Sequence, residues 1–65
     1  MNSETLSTLA QLSDHDLLAR VKDLAQRERE ATVALILSEH AAYNRIETAR
    51  AVRQFPALLE HLAAG

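Results

Sequence analysis

The sequence predicts an all-α protein, and three features of its composition support that class. Hydrophobic residues make up 48% of the 65-residue chain and are mostly Ala and Leu, which favour helix together with Glu and Arg. The chain contains one Gly and one Pro, which is low for a fold with many turns. Tyr43 and Phe55 are the only aromatic residues, too few for a β-sandwich core or a base-stacking platform.

The N-terminal segment differs in composition from the rest of the chain. Residues 1–12 are rich in Ser, Thr and Asn and have no clean hydrophobic period. We expect residues 1–12 to form a flexible N-terminus and residues 13–65 to form a helical module. Leu6, Leu9 and Leu12 recur at steps of three residues, which would allow one loose turn to dock on the module.

A long helix is predicted to begin at about Asp14. Ser13 is a favourable N-cap, and Asp14 and Asp16 follow it in the first turn, where carboxylates suit the helix dipole. Nothing between Asp14 and Gln54 is a helix breaker, so one long helix is favoured, with a second helix starting near Ser38 as the alternative. The apolar stripe of this helix consists of Leu17, Val21, Leu24, Ala31, Leu35, Ala42, Ile46, Ala49 and Val52.

A short terminal helix is predicted after Phe55-Pro56. Proline disfavours helix at the residue before it and suits the first position of a new helix. The helix should therefore run from Pro56 to about Ala64, with Gly65 at the C-cap position. Its apolar side consists of Leu58, Leu59 and Leu62.

The apolar stripe has to be covered, because a domain of this size has marginal stability without a staple or a partner. The chain has no cysteine, so no disulfide supplies the staple. The terminal helix would cover part of a long helix, and a homo-oligomer or a bundle would cover the rest. Packing of two helices within one chain is the equally weighted alternative.

Charge and hydropathy argue against a membrane span, a signal peptide and strong binding of nucleic acid. The net charge is −2 at pH 7, which argues mildly against strong affinity for nucleic acid. No apolar run approaches the roughly 20 residues that cross a bilayer, so no membrane partner is expected. The segment from Met1 to Gln11 is polar and lacks the positive start of a signal peptide, so the cytoplasm is the expected location.

The residue types needed for catalysis are not arranged for it. There is no cysteine, and the single Gly is the last residue, which excludes a Gly-rich phosphate loop or a nucleophile elbow. His40, Asn44 and Glu47 would share one face of a helix, but no further ligand is spaced to complete a metal site. His15 and His61 are interpreted as surface residues. We therefore expect no enzyme activity, no cofactor, no metal and no small-molecule substrate.

Two blocks of sequence resemble the helical N-terminal region that precedes the HNH endonuclease domain in a group of bacterial proteins. The first block is Leu12–Arg20 followed by Gln26–Thr32. The second and more specific block is Leu37–Ile46, then Ala49–Ala51, then Arg53–Leu59. Together they cover most of the chain.

This resemblance implies a relative that is internally deleted and truncated. In the family a further stretch separates the two blocks, whereas Leu37 here runs straight into Ser38, and the sequence reaches Gly65 without an HNH motif. An HNH site needs a histidine base and metal ligands on a ββα hairpin, and no such spacing is present. The resemblance therefore implies a non-catalytic helical module that contacts DNA, with helix-turn-helix-like packing that the deletion puts in question.

The candidate DNA contacts lie in the second block. Ser38 to Ile46 resembles the capped second helix of a helix-turn-helix, and three arginines after it fall within one broad arc that could face phosphates. The residues predicted to contact double-stranded DNA are Tyr43, Asn44, Arg45, Arg50 and Arg53.

Two other interpretations stay open. In the first, the same arginines belong to a solvated helix face and pair with Glu39 and Glu47. The chain is then a helical oligomerisation or scaffold module with no nucleic-acid role. In the second, the chain is a pseudogene product without a selected function. Salt-dependent DNA affinity distinguishes the DNA-contacting module from the oligomerisation module, whose helicity would depend on concentration.

Overall fold

The computed structural model describes residues 3–64, and every regular element in that range is a helix. The predicted all-α class is therefore confirmed. Residues 1–2 of the predicted flexible N-terminus and the predicted C-cap Gly65 lie outside the described residues. The five helices within the range are α1 Ser3–Ala10, α2 Asp14–Arg27, α3 Thr32–Ala41, α4 Arg45–Arg53 and α5 Pro56–Ala64.

Helix α1 forms where the sequence suggested at most a loose turn. Leu6, Leu9 and Ala10 lie on one face of the helix, and Leu9 is buried in the core. This face packs mainly against α5, and the contact explains why a segment without a clean period is helical. The flexibility expected of residues 1–12 stays a prediction.

Helix α2 begins as predicted from its cap. The backbone N–H of Asp16 donates to the Oγ of Ser13 at 3.2 Å, and Asp14 and Asp16 occupy the first turn. Its inner face supplies much of the core and packs against α3, α4 and α5. The buried residues of α2 are Leu17, Leu18, Val21, Leu24 and Ala25.

The prediction of one long helix is wrong. The chain leaves the helix at Glu28, whose backbone is extended (φ −125°, ψ 95°), and leaves it again between Ala41 and Arg45. The alternative break at Ser38 is also wrong, because Ser38 lies inside α3. A continuous helix over residues 14–54 would be roughly 60 Å long and would leave its stripe in water. Folding back into three helices lets the parts of the stripe cover one another.

The break before α4 has a local cause as well. Asn44 caps α4: its Oδ1 accepts from the backbone N–H of Glu47 at 3.1 Å, and its Nδ2 donates to the Glu47 carboxylate at 3.1 Å. The hydroxyl of Thr48 donates to the backbone carbonyl of Asn44 at 2.6 Å. These bonds satisfy groups that a helix start otherwise leaves open, so a new helix is favoured at Arg45.

The terminal helix is confirmed. Helix α5 starts at Pro56 and runs to Ala64, and its predicted apolar residues Leu58, Leu59 and Leu62 are all buried. At its outer face, Nε2 of His61 lies 2.6 Å from Oε2 of Glu28, which ties α5 to the segment that follows α2.

The predicted stripe is buried only in part. Its members on α2, together with Ala49 and Val52 on α4, are in the core, whereas Leu35 is 37% and Ile46 is 66% exposed. They face outward because the turns after Arg27 and Ala41 rotate α3 and α4 away from the line that one helix would follow. Within residues 3–64, no helix combines the length and the apolar character required to cross a membrane.

Candidate nucleic-acid interface

Helices α3 and α4 are joined by the short turn of residues 42–44. A turn of this length between two helices is the connection found in helix-turn-helix motifs. The sequence predicted that the segment from Ser38 to Ile46 is one capped helix, and this prediction is wrong. It contains the end of α3, the turn and the start of α4, and the cap is Asn44 rather than Ser38.

Tyr43 lies in this turn and is 91% exposed. Its backbone N–H donates to the carbonyl of His40 at 3.0 Å, which holds the turn in place. An aromatic ring with this exposure is free to stack or to place its hydroxyl against a phosphate.

Asn44 is placed differently. Both polar groups of its side chain bind Glu47 within the same chain, as described above. A side chain used in this way serves as the cap of α4, and its role as a DNA contact would require those bonds to open.

Arg45 and Arg50 are both exposed, at the start and on the outer flank of α4. Within residues 3–64 the structure gives neither of them an ion pair. The alternative pairing with Glu39 or Glu47 is not formed, since the Glu47 carboxylate accepts from Asn44 instead. Both guanidinium groups are therefore available to an external anion.

Arg53 is engaged inside the protein. Its Nε donates to the carbonyl of Ala10 at 3.0 Å, and its Nη2 donates to the carbonyl of Leu12 at 2.9 Å and to Oδ1 of Asp14 at 2.6 Å. The side chain is 32% exposed. The arc predicted for three arginines is thus divided: Arg45 and Arg50 face solvent, and Arg53 fastens the α1–α2 connection to the end of α4.

A groove of about 380 Å³ runs between α2 and the α3–α4 turn, and we call it the basic groove. Its lining residues with basic side chains come from two places, because His15 and Lys22 lie on α2 and Arg45 lies on α4. Sequence reasoning missed Lys22, since a long helix would have placed it far from Arg45. The remaining lining residues are Leu18, Ala19, Ser38, Ala41 and Ala42.

A second groove of about 330 Å³ lies between the start of α3 and the start of α5, and we call it the apolar groove. Val33 and Phe55, which are each 42% exposed, form part of its wall. Ile36 on the outer face of α3 is 49% exposed. This side of the molecule therefore presents hydrophobic side chains to solvent.

The three histidines lie on three different helices, α2, α3 and α5. His40, Asn44 and Glu47 do not share a helix face, because the turn of residues 42–44 separates His40 from α4. His61 is bonded to Glu28, as described above. No group of three or more His, Cys, Asp or Glu side chains able to hold a metal ion occurs among residues 6–64, whose side chains the structure describes.

Comparison with protein-family models, curated proteins and solved structures finds no match to this chain. The resemblance to the region that precedes HNH endonuclease domains therefore stays a prediction from the two sequence blocks, as does the cytoplasmic location. A function for the chain has to be argued from the chemistry of its surface.

Proposed function

We propose that this chain is a non-catalytic helical module that contacts double-stranded DNA through the α3–α4 turn and the exposed flank of α4. One observation carries the proposal: Arg45 and Arg50 are exposed without an ion pair in the described part of the chain, and the exposed Tyr43 precedes Arg45 by two residues. Arginine is suited to phosphate because its planar guanidinium presents several donors in a fixed geometry.

The connection between α3 and α4 supports the same choice of surface. In helix-turn-helix proteins the second helix enters the major groove, and its N-terminal residues meet the base edges. Ile46 is the second residue of α4 and is 66% exposed. An exposed isoleucine at that position can contact a thymine methyl group, while Arg50, one turn later, meets a phosphate.

The net charge of −2 limits the affinity without excluding contact. Two carboxylates are paired with arginines within the protein, since Asp14 binds Arg53 and Asp23 binds Arg27. DNA responds to the local distribution of charge as well as to its sum. We therefore expect weak, strongly salt-dependent and sequence-tolerant binding.

The proposal that the module is non-catalytic rests on its residue arrangement. Nucleophilic and acid–base catalysis need a nucleophile, a base and an orienting group within hydrogen-bond reach. His15, His40 and His61 lie on three different helices, and His61 is engaged by Glu28.

Fluorescence anisotropy of a labelled random duplex of about 20 base pairs tests DNA contact. Wild-type protein should bind in the micromolar range at low salt and lose affinity steeply as salt rises. The variant Arg45→Ala/Arg50→Ala should bind at least tenfold more weakly. A charge-matched control is Arg20→Ala/Arg29→Ala, which removes two exposed arginines elsewhere on the chain. Equal losses in the two variants, or no binding by wild-type protein, would overturn the proposal.

Self-association is the second candidate function, with another copy of this chain as the partner. The hydrophobic side chains that α3 and Phe55 present to solvent favour it. A second copy could cover them by packing its own α3 against this face, as in a helical bundle. In this case the arginines of α4 would be solvated side chains without a ligand.

A further inference from the structure

The basic groove brings together basic side chains that are distant in sequence. His15 and Lys22 lie two helical turns apart on α2 and share one face of it. Arg45 reaches the same groove from the first residue of α4. The half-buried Ser38 of α3 adds a hydroxyl to the wall. The groove thus offers donors from three helices to one bound group.

Carboxylates lie outside this groove, although the chain as a whole is acidic. No Asp or Glu belongs to the lining formed by the described residues. Asp16 and Asp23 each follow a lining residue of α2 by one position and are not part of the lining, and Asp23 pairs with Arg27. Glu47, near Arg45 in sequence, accepts from Asn44. The groove therefore carries a local positive charge, although the net charge of the chain is negative.

The charged side chains of the groove, Lys22 and Arg45, form no ion pair within the described part of the protein. Lys22 and Arg45 are exposed, and the ion pairs of residues 3–64 involve neither of them. Placing two like charges on one concave wall costs free energy unless an anion occupies the space between them. The volume of about 380 Å³ admits a phosphate group with its first waters.

We infer that the basic groove is a phosphate-binding site, with Lys22 and Arg45 as its charged ligands and Ser38 as a hydroxyl donor. The inference rests on the proposed function as regards the source of the phosphate, which we take to be the backbone of the contacted duplex. A bound phosphodiester at this position would lie beside Tyr43 and the start of α4. Lys22 then fixes how α4 is oriented on the duplex.

Nuclear magnetic resonance titration of the isotope-labelled full chain tests the site with two probes, inorganic pyrophosphate and an unlabelled duplex of about 12 base pairs. Both probes should shift the backbone amides of the groove, and the variant Lys22→Ala should lose these shifts. Arg20→Ala is the matched control, because it removes one exposed cation from the other side of the same helix. Circular dichroism confirms that each variant stays helical.

The Kd for the duplex gives an independent readout. Lys22→Ala should raise the Kd several-fold at low salt and lower the magnitude of the salt slope by about 1, as expected for one lost phosphate contact. Arg20→Ala should change both quantities less. Groove shifts with the duplex that depend on Lys22 would support the site and the DNA source together.

Failure of the site and failure of the proposed function give different results. Duplex binding with shifts elsewhere and equal affinity of the two variants would overturn the site and leave DNA contact standing. Pyrophosphate shifts in the groove without duplex binding would overturn DNA contact and support the site for a small phosphate compound. Absence of groove shifts with both probes, without duplex binding, would overturn both.

Discussion

Arg53 holds three segments of the chain together. The last carbonyl groups of a helix have no hydrogen-bond partner within that helix, and the carbonyl of Ala10 at the end of α1 is one of them. Arg53 donates to the carbonyls of Ala10 and Leu12 and to the Asp14 carboxylate in the first turn of α2. Only Arg has enough donors in a fixed plane to serve all three groups at once.

Replacement of Arg53 should therefore affect stability. We expect Arg53→Ala to lower the free energy of unfolding by about 2 kcal/mol, because one substitution removes three partly buried hydrogen bonds from a charged guanidinium, one of them to a carboxylate. Urea denaturation followed by circular dichroism measures this change. Arg50→Ala is the control and should change stability by less than about 0.5 kcal/mol. Equal effects would show that the Arg53 bonds do not stabilise the fold.

Asn44 gives a second prediction for a single residue. Asn44→Ala removes the acceptor for the Glu47 N–H and should cost about 1 kcal/mol of stability. Asn44→Ser keeps an acceptor for this N–H without placing a second carboxylate against that of Glu47, and it should retain most of the stability. Thermal unfolding of the three proteins under identical buffer compares them. A variant Asn44→Ala as stable as wild type would contradict the role of Asn44 as the cap of α4.

The helix ends that local chemistry determines could be predicted, and those that packing determines could not. Ser13 and Pro56 mark the starts of α2 and α5 in the sequence as in the structure. The break at Glu28 has no Gly or Pro, and it forms because α3 folds back onto α2. The start of α4 did carry a signal, since Asn44 followed three residues later by Glu47 is a capping pattern.

The candidate interface was predictable to the same extent. Exposure of Tyr43, Arg45 and Arg50 follows from their polar positions, and the structure places all three at the surface. The engagement of Arg53 and the meeting of Lys22 with Arg45 depend on how separate helices pack. A continuous helix would have placed Lys22 and Arg45 roughly 35 Å apart, so a pattern along one helix could not reveal the basic groove.

Packing of α2 against its neighbours should be the main source of stability. Leu24 is fully buried, so Leu24→Ala should lower the free energy of unfolding by about 2–5 kcal/mol. A domain of this size has roughly 3–10 kcal/mol in total, so much of the population should unfold. Leu35→Ala, at a residue 37% exposed, is the matched control and should cost less than about 1.5 kcal/mol. Chemical denaturation that ranks the two equally would contradict this arrangement of the core.

The whole molecule has a small hydrophobic core and leaves several large hydrophobic side chains exposed to solvent. The described part of the core is built almost wholly from Leu, Ala and Val, while Ile36, Ile46 and Phe55 stay exposed. This distribution leaves two uses for the surface: an anion on the basic side, or another chain on the apolar side. The two uses occupy different faces and can be separated by substitution.

Self-association, if it is the function, has a clear signature. The mass in solution should rise from one chain to two as concentration increases, and Ile36→Ser should shift the transition to higher concentration by about tenfold. Tyr43→Ser changes an exposed residue in the α3–α4 turn, outside the apolar groove, and should leave the transition concentration unaltered. Sedimentation equilibrium over the micromolar to millimolar range measures these masses. A mass of one chain throughout would contradict the dimer.

The salt dependence of duplex affinity tests DNA contact through α4 most directly. The logarithm of the association constant, plotted against the logarithm of salt concentration, should fall linearly for the wild-type protein. In Arg45→Ala/Arg50→Ala the magnitude of this slope should be smaller by about 1.8, because two phosphate contacts are lost. A slope that is unchanged by this substitution, or that falls as much in Arg20→Ala/Arg29→Ala, would contradict DNA contact through α4.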